Sequence, residues 1–397
     1  QSPMPSYYEG YLHGLAGDEA AARACCLRAE HLPAPRCYPN RVEEIAILEY
    51  AIRLLGRAPR AHALLGCLLY DKKQADAAIA HWEASVQQDP GQALVHRNLA
   101  IARYNKQGDA DAALREMEQA RRLDPGYPRL LLEYDQLAAR LGRSNAARLQ
   151  LLEENLALVE QRDDLMLRYV TLLNCEGRCE EALQILLTRR FHPWEGGEGK
   201  VSAQYRYALI RLAKDCLNRG ENDRAVQLLE QSKTYPDTLG EGKLPNVPDN
   251  EADYWQGVAL RAMGREPEAA AAFLRAVSGP QEPGRVLYYN DQPSDFIYYQ
   301  GLAQRAMGNE AAARKAFHKL LTYGETHLFD AVAYDFFAVS LPEIEVFADD
   351  IALRNRQYCN YLRALGCAGL GRTSEAAELF AGILELQPDD QGALRHA

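Results

Sequence analysis

At 397 residues, with 47% hydrophobic and 25% charged side chains, the chain is too apolar to be largely disordered. It is also longer than one ordinary core holds, so two or three domains or one repetitive array is expected. Its 45 basic against 55 acidic side chains leave a net charge of −10, and no local basic patch is evident. Nucleic acid and anionic membrane surfaces are therefore poor partners. The longest unbroken apolar run, Ala269 to Leu274, is too short to cross a bilayer.

Taken in chain order, one helix-pair pattern keeps returning. Gly10, Ala22, Cys26 and Ala29 outline a degenerate first unit, and residues 43–55 follow as a single amphipathic helix. Gly66, Ala78, Trp82, Ser85 and Pro90 then place a small residue on a first helix, Ala-x3-aromatic on a second, and a closing proline. Ala113, Met117, Ala120 and Pro125 repeat the second-helix pattern, with weaker copies at Ala182 with Leu186 and Ala225 with Leu229. Gly257 with Ala269, Phe273 and Ala276, Gly301 with Ala313 and Phe317, and Gly366 with Ala376, Phe380 and Pro388 complete the series. Turn signals fall between the two helices at Gly17, Gly108, Gly142, Gly177, Gly264, Gly308 and Gly371. Small residues let two antiparallel helices approach, and a large side chain four positions on fills the neighbouring groove. On these residues the chain resembles a tetratricopeptide-repeat protein along nearly its whole length. It departs from that pattern in lacking the first-helix Trp and Tyr in most units. The implied fold is all-α, a right-handed superhelix of antiparallel helix pairs, at least about 60% helix with almost no strand.

The period changes along the chain. The second-helix alanines at 78, 113, 147 and 182 lie 34 or 35 residues apart, those at 225, 269 and 313 lie 43 or 44 apart, and the last, at 376, lies 63 further on. The added residues fall between one pair and the next, within 191–200, 235–250, 279–293 and 322–350. In a solenoid all such connections emerge along one edge, so these long loops are expected to cluster as a rim. The expected divisions are residues 1–58 as a degenerate repeat and linking helix, 59–190 as regular repeats, 191–350 as expanded repeats, and 351–397 as a capping repeat.

The loops carry the residues with chemistry. Gly-Glu-Gly-Lys occurs at 197–200 and again at 240–243, one expanded repeat apart, so the two copies are expected to be neighbours. A P-loop is excluded: the positions it requires as Gly and Ser/Thr are Trp194 and Val201 in one loop, Asp237 and Leu244 in the other. Two readings of the rim stay open. In one, the glycines permit turns and the Glu and Lys side chains lock the loops. In the other, His192, Trp194, Glu195, Glu198, Lys200, Glu241, Lys243, Tyr289, Asn290 and Asp291 form a binding rim, with carboxylates for acid–base work and an indole for stacking on a sugar. No catalytic residue, metal ligand or cofactor motif is assigned.

Elsewhere Trp82 and Trp255 are expected in the core, and His327 as a buried, hydrogen-bonded histidine. An apolar stretch at 335–339 is expected as an extra packed helix. Tyr7 and Tyr8 either cap the first repeat or dock a preceding domain. The nine cysteines lack zinc-site spacing and read as free structural thiols in a reducing, cytoplasmic compartment.

Four strings are more specific than the repeat itself: Phe191 to Lys200, Leu239 to Lys243, Tyr288 to Pro293, and Phe337 to Pro342. On them, the chain from about residue 60 onward resembles the carboxyl-terminal repeat region of large bacterial proteins whose amino-terminal β-rich domains resemble carbohydrate-active folds. The resemblance implies that this chain, which begins at Gln1, is the helical part of a larger protein. Its expected role is non-enzymatic, binding a protein partner or its own amino-terminal domain. The alternatives are a carbohydrate site completed by a neighbouring β-domain and a peptide held in the concave groove. Oligomeric state is not indicated.

Overall fold

The computed structural model describes residues 2–34, 37–194, 196–288, 291–334 and 345–396. The chain is 70% helix, and no strand occurs among the described residues. It divides into two compact units, residues 1–137 with 346–348, and residues 138–345 with 349–397.

The first unit holds α1 (Met4–Leu15), α2 (Glu19–His31), α3 (Glu43–Leu55), α4 (Pro59–Asp71), α5 (Ala75–Gln88), α6 (Ala93–Ala102), α7 (Ala110–Leu123) and most of α8 (Pro128–Arg140). Its core runs from Tyr7 through Leu48, Leu65 and Trp82 to Leu99. Tyr7 is fully buried and donates its hydroxyl to Glu30 at 2.7 Å. Glu30 also accepts from the backbone N–H groups of Arg60 and Ala61, so it caps the first turn of α4 from the end of α2. Tyr7 is thus a core residue, and the half-buried Tyr8 reaches Glu44. Phe347 joins this unit from far along the chain, edge-on to Tyr104. The Asn105 side chain brackets it, donating to the Val346 carbonyl and accepting from the Ala348 N–H, both at 2.7 Å.

The second unit holds α9 (Asn145–Glu153), α10 (Leu156–Val159), α11 (Asp163–Cys175), α12 (Cys179–Thr188), α13 (Lys200–Asn218), α14 (Asn222–Gln231), α15 (Asn250–Ala262), α16 (Glu266–Ala276), α17 (Phe296–Ala306), α18 (Glu310–His327), α19 (Ile351–Gly369), α20 (Thr373–Leu386) and α21 (Gln391–Leu394). Helices α11, α13, α15, α17 and α19 each touch the next, while α12, α14, α16, α18 and α20 pack back on their partners. The expected apolar helix at 335–339 lies outside the described residues.

Local chemistry explains the pairs. All seven expected turn glycines adopt φ between 65° and 83°, a region that a Cβ makes costly. After Gly17, Gly108 and Gly308 comes Asp18, Asp109 or Asn309, whose side chain caps the next helix. Two turns escape the pattern: Gly220 between α13 and α14, and Lys73, which holds φ 64° without being glycine. Across three of the pairs the small residue meets a ring. A Cβ on Gly66, Gly257 or Gly301 would lie 2.5–2.6 Å from Trp82, Phe273 or Phe317, so each ring rests on bare backbone. Burying such a ring contributes roughly 1.5–3 kcal/mol.

Several expected positions shift. Gly366 does not receive Phe380; its Cα meets the α18 backbone at Phe317 and Leu321, and the Phe317 ring also packs against Gly369. Ala147 is exposed, and α9 buries Asn145, Arg148, Leu149 and Leu152 instead, with Arg148 3% exposed. Trp255 is half-buried, with the Lys214 ammonium 5.1 Å from its ring centroid. His327 is also half-buried, bonded to Asp330 at 2.8 Å, with its ring centroid 4.3 Å from that of Tyr323. The cysteines are free thiols, and burial pushes Cys175 and Cys179 up to about 12, which leaves them protonated at neutral pH.

The packing gives a direct test of register. Ala313→Leu should destabilise by about 1–3 kcal/mol through overpacking, whereas Ala147→Leu should change stability by less than about 0.5 kcal/mol. Urea unfolding of both variants checks this, and equal costs would refute the assigned register.

Candidate functional site

The second unit brings together two features, the loop rim and a groove along the first helices of its pairs. On the rim the two Gly-Glu-Gly-Lys strings are adjacent. The Phe191 N–H donates to the Thr238 carbonyl at 2.8 Å, and the Gly240 Cα packs against the Phe191 carbonyl. Glu241 accepts from the N–H groups of Gly199 at 2.7 Å and Ser202 at 3.0 Å. Gly199, the N-cap of α13, has no side chain of its own to do this. Glu241 therefore caps α13 from the next loop, where the helix dipole favours a negative charge. Lys243 pairs not with a rim glutamate but with Asp249, at 2.5 Å, and donates to the Lys233 carbonyl. Asp291 is turned into its own loop, accepting from Leu287 and Tyr288.

His192 and Trp194 differ from these. The His192 side chain is 77% exposed, with Nδ1 held 3.0 Å from Asp163. Burial alone would raise the Asp163 carboxyl, but hydrogen bonds from Arg189 and His192 outweigh it and hold the group below the usual carboxylate range. Trp194 folds its indole over Gly197, where a Cβ would collide with it. One buried oxygen of Glu198 has no hydrogen-bond partner, and Lys200 opens α13. Glu195, Tyr289 and Asn290 lie outside the described residues.

The groove was not legible as a site in the loops, because its occupant comes from beyond α20. Segment 387–396 touches residues of α9, α11, α13, α15, α17 and α19. Asn145 donates to the Pro388 carbonyl at 2.7 Å. Arg148 pairs with Asp389 at 2.8 Å, and Arg168 stands 3.9 Å away. Gln204 and Gln391 exchange amide hydrogen bonds at 2.9 and 2.8 Å. Arg395 reaches Glu251 at 3.0 Å and Asp295 at 3.7 Å, with its guanidinium 5.0 Å over the Tyr207 ring. His396 stacks on Phe380 and meets Tyr298 edge-on. Tyr299 and Tyr361 donate to Glu251 and Asp295 at 2.7 and 3.1 Å.

These carboxyls are pushed apart. For Glu251 burial acts upward, but Arg395 and Lys214 outweigh it and lower its pKa. For Asp295 burial wins, aided by the Glu251 charge, and its pKa is raised. A void of about 10 Å³ between Tyr207, Lys214, Glu251 and Arg395 has room for about one water. An open cavity of about 550 Å³ lies elsewhere in the unit, along α18 at Lys315, His318, Lys319 and His327. Among the described residues no His, Cys, Asp and Glu cluster has a metal-binding arrangement, and no helix is long and apolar enough to cross a membrane.

A tetratricopeptide-repeat family model matches residues 295–323, which span α17, the Gly308 turn and most of α18. Among solved structures, the chain is similar to YrrB, a tetratricopeptide-repeat protein with an unusual peptide-binding site. There the identity is 14%, over 57% of this chain and 96% of that one, with a TM-score of 0.35. It is also similar to the structure of Naa15/Naa10 bound to HypK-THB, at 14% identity and a TM-score of 0.42, over 98% of this chain and 64% of that one. A third is a tetratricopeptide repeat protein from Parabacteroides merdae, at 16% identity and a TM-score of 0.32, over 76% of this chain and 99% of that one. The chain is an all-α repeat protein, and its α17–α18 pair matches a tetratricopeptide-repeat model.

Two outcomes test these assignments. Removing the cap by Glu241→Ala should cost about 1–2 kcal/mol in a urea melt, since two N–H groups at a helix start lose their acceptor. A cost near zero would mean water replaces the carboxylate. The second concerns acid. Burial pushes His396 down to about 3 from 6.5, so the fold holds it neutral while the unfolded chain protonates it. Its contribution is fully present above about pH 6.5 and is lost as pH falls toward about 3. Glu251 acts in the same direction and Asp295 against it. The thermal midpoint should drop between pH 7 and pH 5, and His396→Phe should flatten that drop.

Proposed function

We propose that this chain is a non-enzymatic repeat scaffold that binds another protein or a further domain of its own polypeptide. The observation that carries this reading is the groove of the second unit, where side chains from six helices hold a stretch of polypeptide through its charges, amides and rings. That is chemistry suited to recognising protein segments. The rim supports the same reading, because Glu241, Lys243 and Asp291 are engaged in holding helices and loops.

The four loop strings further support placing the chain in the carboxyl-terminal region of a large bacterial protein with an amino-terminal β-rich domain. On that reading the β-rich region is the natural partner, and the compartment is the cytoplasm. Co-purification and calorimetry of the chain with the separately expressed upstream region should give a one-to-one complex. Failure to associate, in either the linked or the separate form, would overturn the interdomain role.

A second reading is favoured by His192, whose exposed ring is oriented by Asp163 beside the partly exposed Trp194. Here the rim would contribute to a carbohydrate site. His192→Ala and Trp194→Ala should then abolish oligosaccharide binding by the full-length protein while changing stability by less than about 0.5 kcal/mol. Unchanged glycan binding in both variants, or none in the parent, would remove this reading.

A further inference from the structure

Segment 387–396 sits in the groove as a ligand sits in a site, rather than as a helix sits in a core. Ala393 is its one fully buried apolar anchor. Its other contacts are hydrogen bonds, ion pairs and ring faces, made with residues up to 243 positions earlier in the chain. Its only regular structure is the single turn of α21, capped by Asp390.

The groove charges follow an order that matches the segment. Arg148 and Arg168 face Asp389 at one end, Gln204 meets Gln391 in the middle, and Glu251 and Asp295 face Arg395 at the other. All of these groove residues stand on or beside α9, α11, α13, α15 and α17, none of which depends on the segment for its own sequence signals. At the far end Glu251 and Asp295 lie close enough for the charge of one to act on the other, and such a buried carboxylate pair favours a cation between them.

We infer that the groove is a recognition site for a short polypeptide segment carrying a carboxylate and, six positions later, a guanidinium, with a glutamine side chain between them. Residues 387–396 occupy that site in cis and so hold it closed to a partner segment of the same pattern. This deepens the scaffold reading and rests on it. A tethered occupant acts at an effective concentration of about millimolar, and a competing peptide sees only the vacant fraction of grooves. Partner binding through this site therefore requires release of the segment.

The test is fluorescence anisotropy with a dye-labelled synthetic peptide of residues 387–396. It is titrated with the full chain, a chain ending at Leu386, and the full chain carrying Asp389→Asn with Arg395→Gln. The peptide should bind the shortened chain and the double variant at least about ten-fold more tightly than the parent. Peptides carrying Asp389→Lys or Arg395→Glu should bind neither. If the shortened chain loses its helical circular dichroism, the double variant decides. Equal binding of the peptide to parent and double variant, or equal binding of native and charge-reversed peptides, overturns the inference. If the upstream region binds parent and double variant alike while the peptide arm fails, the scaffold reading stands and the cis-ligand inference falls.

Discussion

Everything in this molecule depends on how closely two helices of a pair can approach. Where Gly66, Gly257 and Gly301 stand, the ring of Trp82, Phe273 or Phe317 lies on bare backbone. The interaxial distance is thus set by the thickness of one aromatic ring. The fully buried alanines at 78, 269 and 313 keep the second helix equally close. The pairs that share this contact therefore have a similar shape, which suits stacking. Phe317 joins two successive pairs through one ring, since both Gly301 and Gly369 pack against it.

The expanded connections are braces as much as loops. Longer connections would ordinarily cost entropy and leave backbone groups for water to satisfy. Here they supply those partners to each other: Glu241 caps α13 from one loop over, and Lys243 ties its loop to Asp249 at the start of α15. The Asn105 bracket around Val346 and Ala348 does the same in the first unit. A loop held at both ends by charge-assisted hydrogen bonds presents its remaining side chains in fixed positions, and this is the setting of His192 and Trp194.

Electrostatics governs the groove in a way that apolar packing does not. Burying Arg148, Glu251 and Arg395 is unfavourable unless each finds an opposite charge, and each finds it across a long span of sequence. Such pairs contribute little net stability when complete but are costly to break. They therefore fix which segment fits and in which direction, more than how strongly the unit folds.

The sequence by itself determined what is local. The turn glycines, the Asp and Asn caps after them, the small residue twelve positions before its partner alanine, and the helix at 43–55 are all set by interactions within one pair. Those interactions have a fixed spacing, so they can be read from the chain. The adjacency of the two Gly-Glu-Gly-Lys strings was legible for the same reason, since one repeat is one step of the stack. The tertiary structure alone decided what spans many repeats. That Arg148 rather than Ala147 is buried, that Glu241 serves a helix and Lys243 pairs with Asp249, and that residues 387–396 fill the groove all depend on which distant groups meet. A charge carries no periodicity and its partner no spacing. Only the folded chain, by bringing Asp389 to Arg148 and Arg395 to Glu251, settles where each buried charge is neutralised.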